Sequence, residues 1–175
     1  MSSQPTPLRA LHASTVFVNT ALAGLNLGLS VFVVPRLLES PTPLMLRQWA
    51  GMFARTSRAF PLPTLACALS YWYMAYAAGG GGLPGGGGGG KSSRLLLAAA
   101  GALCFAVVPW TKIFMVDVNR ELARRAEETG GGVAALSREE EEGAKALVDR
   151  WGVYNLGRSV AIGLGGAVGL YAIVS

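Results

Sequence analysis

The chain has 175 residues, 51% hydrophobic and only 14% charged, with a net charge of +5 and a mean hydropathy of +0.41. Soluble domains carry about a quarter charged residues, so the balance points to a membrane. The positive excess lies in the connections and forms no basic stripe interleaved with aromatics, which argues against a nucleic-acid partner.

Four apolar blocks of about 20 residues follow one another, each long enough to cross a hydrocarbon core of about 30 Å as a helix. The first, from His12 to Pro35, contains no charged side chain. It follows Arg9 near the N-terminus, as a signal peptide would, but it is longer than a signal core and ends in "VVPRLLESP" without a small-residue cleavage site. The expectation is a retained span. The second block, Phe60 to Gly79, is entered through Pro61 and Pro63, an arrangement suited to a helix start. The third runs from Leu95 to Val116 and the fourth from about Trp151 to Val174. The fold expected is all-α: one integral membrane four-helix bundle with spans at about 12–35, 60–79, 95–116 and 151–174.

The connections carry their own signals. Residues 80–92 are glycine-rich and satisfy the P-loop pattern through Gly85, Gly90, Lys91 and Ser92. A P-loop needs a strand before it, whereas this stretch lies between two apolar blocks, so a flexible linker is expected. Residues 117–150 read as a soluble connection with helices. Ser137 and Glu140 make a capping box, which starts a helix near Arg138 that runs into the fourth block. Lys and Arg concentrate in the first connection (Arg36, Arg47, Arg55, Arg58) and in the third, which holds seven from Lys112 to Arg150. The positive-inside rule then puts both termini on the luminal or outer side.

Cys67 and Cys104 stand singly in apolar helices and read as packing groups, and His12 is the only histidine. The spans offer no clustered ligands for haem, zinc or iron, and no strand-turn-helix for a nucleotide or flavin. No metal and no bound cofactor are expected.

Polar groups inside the spans carry the functional signal, because they are costly there. Trp151, Asn155 and Arg158 are spaced four and then three apart, so they share one helix face. Thr111, Met115, Asn119 and Leu122 form a similar stripe after Pro109 and Trp110, and Asn19 and Asn26 share a face of the first helix. Structural roles compete with functional ones. Arg158 is placed where it can snorkel to headgroups, Trp49, Trp110 and Trp151 sit where tryptophan belts occur, and the asparagines suit interhelical hydrogen bonds. Gly24 with Gly28, like Gly165 with Gly169, reads as close helix packing.

"PWTKIFMVDVNREL" resembles the Pro-x-Thr-x-x-x-Met-x-x-x-Asn-x-x-Leu signature, and "WGVYNLGR" the Trp-x-x-x-Asn/His-x-x-Arg signature, of the anthrone oxygenase-like family of small four-span membrane proteins. "AGLNLGLSVFVVP" and "LRQWAGMFARTSRAFPLP" look like the family's opening helix and the segment before its second span. Position 155 is Asn where some relatives have His. The resemblance implies oxidation of an anthrone-like aromatic polyketide to a quinone by molecular oxygen as co-substrate, without metal or flavin, in secondary metabolism. In that reading Arg158 is the oxyanion partner, Asn155 and Asn119 orient substrate oxygens, and Trp151 and Trp110 offer flat apolar surfaces. Thr111, Met115, Asn19 and Asn26 complete the substrate-binding set, and the base is His12, Asp117 or the substrate's own ionisation. The expected partners are a hydrophobic aromatic molecule and the lipid bilayer, in the endoplasmic reticulum or a related endomembrane.

Two alternatives remain open from the residues. Stabilising an enolate also serves a cofactor-free cyclase or isomerase. A non-catalytic membrane scaffold would work through the charged Asp117 to Arg150 connection, with Arg158 as a packing residue.

Overall fold

A computed structural model describes residues 6–78, 91–130 and 136–174. Within them the regular structure is helical throughout. The first run is α1 (Thr6–Gly28), a π-helical turn (Leu29–Val33) and α2 (Val34–Leu38). Then come α3 (Thr42–Ala59) and α4 (Pro61–Ala78). The third run joins α5 (Lys91–Phe105), α6 (Val107–Trp110), a second π turn (Thr111–Met115) and α7 (Val116–Gly130), and α8 (Arg138–Val174) closes the chain. The glycine-rich stretch 79–90 lies outside the described residues; Lys91 and Ser92 form the first turn of α5.

Local chemistry accounts for the boundaries. Ser137 caps α8 in the expected box: its N–H donates to Glu140 Oε2 at 2.8 Å, and the Glu140 N–H donates to Ser137 Oγ at 3.3 Å. Each π turn adjoins a proline, Pro35 just after the first and Pro109 just before the second. Proline lacks an N–H and crowds the carbonyl four residues back; before Pro35 a widened turn absorbs that misfit, and before Pro109 the helix is interrupted between Phe105 and Val107. The Val34 N–H accordingly reaches Leu29 C=O, and the Val116 N–H reaches Thr111 C=O.

The chain forms two compact units. Unit 1 comprises residues 1–24, 61–107 and 160–175. Its interior is built from small and medium side chains, including Cys67, Ala68, Ala100, Cys104 and Ile162, around the large ring of Tyr71. Glycines permit the close approach: a Cβ at Gly165 would stand 2.9 Å from Cys104 Sγ and 3.1 Å from Ala100 C=O, and one at Gly169 would enter the Tyr71 phenol. The same expectation fails for Gly24 and Gly28, where a Cβ would meet nothing within 4 Å. Those two glycines lie off the packed face of α1. Both cysteines are buried free thiols.

Unit 2 comprises residues 25–60 and 108–159. Its core is Val34, Leu37, Met45, Leu46, Trp49, Met115, Val118, Leu122, Ala144, Val148 and Trp151. The three-and-four spacing of these residues along α3, α7 and α8 puts each set on one helix face. Trp49 stacks on Phe53 at 4.9 Å and meets the Trp151 ring edge-on at 6.1 Å. A tryptophan belt is therefore not the role of Trp49 or Trp151, which are 0% and 1% exposed. Outside this core, α7 holds a chain of exposed ion pairs in which Arg124 bridges Glu121 and Glu128.

Two helical runs, Pro7–Leu38 and Lys91–Thr129, are long and apolar enough to cross a membrane by length and composition. Only 17% and 28% of their most apolar windows is buried inside the molecule, whereas the core helix of a soluble protein is mostly buried.

Candidate functional site

The face of α8 singled out by spacing turns inward in unit 2, and each member meets a different partner. The Trp151 indole N–H donates to Asn119 Oδ1 at 2.9 Å. One turn on, the Asn155 amide nitrogen donates to the Asn26 carbonyl at 2.9 Å and to Ser30 Oγ at 3.0 Å. Three residues further, the Arg158 guanidinium reaches Met115 Sδ at 3.8 Å. Ser159 Oγ closes the group by donating to the Asn155 carbonyl at 3.0 Å. Both π turns deliver a member of this group, Ser30 from the first and Met115 from the second.

Aromatic rings flank it. The Trp110 indole N–H donates to the Tyr154 carbonyl at 2.9 Å, and its ring lies against Gly157, where a side chain would collide with it. Phe114 sits 4.5 Å from the Trp110 ring and 5.7 Å from that of Tyr154. Thr111 is half-buried at the start of the second π turn.

Two valences in the group are unmet. Asn155 Oδ1 and Arg158 Nε are buried without a hydrogen-bond partner. None of the ion pairs among the described residues includes Arg158. The side chain is half-buried and folds onto Met115. A buried polar group left unsatisfied costs about 1–3 kcal/mol, more for a charged group; an acceptor or an anion would satisfy Arg158 Nε, and a donor would satisfy Asn155 Oδ1.

The remaining predicted residues lie elsewhere. Asn19 and His12 belong to unit 1. The Asn19 amide nitrogen donates to the Ile162 carbonyl at 3.0 Å, and Asn19 Oδ1 accepts from Cys104 Sγ at 3.3 Å. His12 Nε2–H donates to the Gly169 carbonyl at 3.0 Å, with the Tyr71 ring edge-on to the imidazole. Asp117 points to water, its side chain 90% exposed, and pairs with Arg120 at 3.4 Å. Among the described residues no group of three or more His, Cys, Asp or Glu side chains is arranged to hold a metal ion.

Ser30, Ser159 and Tyr154 are members that spacing arguments passed over. Ser30 had a signal: it follows Asn26 by four residues and so extends the polar face already marked by Asn19 and Asn26.

The family model described as anthrone oxygenase matches residues 49–168. That range includes Trp110, Thr111, Met115, Asn119, Trp151, Asn155 and Arg158. Over 157 residues the chain is 30% identical to Monooxygenase hypC of Dothistroma septosporum (strain NZE10 / CBS 128990), an alignment that covers 89% of this chain and 78% of that protein. No solved structure matches the chain.

Proposed function

The chain belongs to the anthrone oxygenase family, and on that premise we propose that it is a membrane monooxygenase that oxidises an anthrone-like aromatic polyketide to the quinone with molecular oxygen and no metal or flavin. One dioxygen converts the substrate methylene to a carbonyl. Two C–H bonds break, one oxygen atom becomes the new carbonyl oxygen, and the other leaves as water. An electron-rich, acidic substrate supplies the reducing electrons itself once it is ionised.

The observation that carries this reading is Arg158, a permanently charged group folded onto Met115, with no carboxylate partner among the described residues and an unused Nε donor. Its task is to receive the enolate oxygen as charge develops, where a fixed donor in a poorly solvated site is most effective. Asn119 is tied through its oxygen to Trp151, which leaves its amide nitrogen to donate to a substrate oxygen. Trp110 and Phe114 offer flat apolar surface beside the arginine's own helix. Since His12 is engaged with the Gly169 carbonyl and Asp117 with Arg120, we assign proton loss to the acidity of the substrate, raised by Arg158.

Exposure supports four membrane spans and entry of the substrate from the bilayer. Large apolar side chains face outward from Phe17 to Phe32, Leu62 to Tyr76, Leu95 to Phe114 and Val153 to Tyr171. At 1.5 Å per residue these stretches are about 21–28 Å long, close to a hydrocarbon core of about 30 Å. The buried polar groups, Asn19, Asn26 and Asn155 among them, face inward. We place the protein in an endomembrane such as the endoplasmic reticulum, with both termini luminal.

The test is oxygen uptake by membranes carrying the wild type or Arg158→Ala, given an anthrone. The reading requires one dioxygen consumed per quinone formed and a large loss in the variant. Equal rates in the two would sink the role of Arg158, and a stoichiometric redox metal or flavin in the active purified protein would sink the cofactor-free mechanism.

A further inference from the structure

Asn155 is held on two sides in unit 2. It is 1% exposed, and both of its amide N–H bonds are spent, one on the Asn26 carbonyl and one on Ser30 Oγ. A carbonyl only accepts, so the Asn26 contact fixes the amide orientation: nitrogen toward the first helix, oxygen away from it. That oxygen is left buried with no partner. Ser30 is the second anchor, and it stands in the π turn Leu29–Val33.

We propose that Ser30 is a positioning residue that holds Asn155 Oδ1 as a dedicated hydrogen-bond acceptor for a substrate hydroxyl, so that the site selects a free phenol over its methyl ether. The physical reason lies in the polarity of what is missing. An unpaired buried acceptor is relieved only by a donor, and an aromatic ether or a second carbonyl offers none. Arg158 lies one turn further along α8, half-buried, and supplies donors only. The two side chains are three residues apart on one helix face, about 5–6 Å between their Cβ atoms. One aromatic skeleton spans that distance, with its enolate oxygen on Arg158 and a phenolic hydroxyl on Asn155. A site built to hydrogen-bond a hydroxyl rejects the analogue that lacks it far more strongly than an apolar pocket discriminates by size. Without Ser30 the Asn155 amide keeps one anchor and turns about it, and the oxygen loses its fixed direction.

This inference rests on the oxidase reading for its substrate, and two measurements on the full chain in detergent separate the two claims. The first is oxygen uptake with a hydroxyanthrone and with its O-methyl ether, for the wild type, Ser30→Ala and Ser30→Thr. The wild type should favour the free phenol by about tenfold or more, the value of one well-made hydrogen bond. Ser30→Ala should bring that ratio close to one, chiefly by slowing the phenol, and Ser30→Thr, which keeps the hydroxyl, should restore it. The second is binding of a hydroxyanthraquinone and its methyl ether, read by quenching of tryptophan fluorescence, which needs no turnover. The same ratios should hold there. If neither anthrone is oxidised but the binding ratio behaves as stated, the oxidase reading fails and the acceptor role of Asn155 stands. A phenol-to-ether ratio near one in the wild type, or one that Ser30→Ala leaves unchanged in both assays, overturns the proposal.

Discussion

Replacing Arg158 by methionine separates a catalytic arginine from a structural one, because the two roles move stability in opposite directions. In the structure the guanidinium reaches Met115 Sδ, and among the described residues its Nε finds no hydrogen-bond partner. An unbranched apolar side chain of similar length therefore removes an unsatisfied buried donor, worth about 1–3 kcal/mol, and sacrifices no ion pair. Arg158→Met should be at least as stable as the wild type, with Tm higher by about 2–4 °C for each kcal/mol gained at this chain length. Activity should fall with the loss of one oxyanion donor, about 10²–10³-fold in kcat. Thermal melts followed by circular dichroism in detergent, paired with oxygen uptake on an anthrone, read both quantities. A variant that is destabilised by more than 1 kcal/mol and keeps its turnover would refute the reasoning, since it would make Arg158 a packing residue. Joint loss of both would show that the arginine holds the site together and does not simply face the substrate.

Other perturbations follow from single contacts. Asn119→Ala strips the acceptor from the Trp151 indole N–H and should cost about 1–3 kcal/mol, with a shift in tryptophan emission that Asn119→Asp, which keeps an acceptor oxygen, should largely avoid. Gly169→Ala drives a Cβ into the Tyr71 phenol and should be strongly destabilising, whereas Gly24→Ala meets nothing within 4 Å and should be neutral or stabilising by about 0.5–1 kcal/mol; equal melts for the two would contradict the packing described. Hydrogen bonds from Arg124 and then Arg125 hold the Glu121 carboxyl down to about 2, from an ordinary 4.5. A carboxyl with a depressed folded value stabilises α7 above about pH 4.5 and loses that contribution as pH falls through about 2. Helicity measured from pH 5 to 2 should therefore decline in the wild type and change less in Glu121→Gln.

The placement of polar and apolar side chains explains why a chain so rich in apolar residues still holds a defined site. In unit 1 the helices approach through glycine, alanine and cysteine, and the asparagine and histidine side chains bond to the backbone carbonyls of Ile162 and Gly169. Where hydrophobic association contributes little, close packing and such hydrogen bonds hold helices together. Unit 2 uses larger groups, the Trp49, Phe53 and Trp151 rings, and it also holds the open valences of Asn155 Oδ1 and Arg158 Nε.

The helices of the four apolar blocks, the cap at Ser137 and the shared face of Trp151, Asn155 and Arg158 were legible from sequence alone, because each depends on the fixed pitch of a helix or on neighbours within four residues, whereas α3 was read only as a connection. The apolar blocks were legible for the same reason: length and composition are local quantities. The partners of that face were not. Trp151 meets Asn119 across 32 residues, and Asn155 meets Ser30 and Asn26 across 125 and 129, and no local spacing specifies which helices approach one another. The two π turns were equally hidden, since a proline announces a disturbed helix but not how the backbone absorbs it. Spacing also left His12 and Asp117 as equal candidates for the base. Tertiary structure decided that one bonds the Gly169 carbonyl and the other Arg120, and it decided that Arg158 turns inward onto Met115, because the direction a long side chain takes is set by the space and partners its neighbours leave.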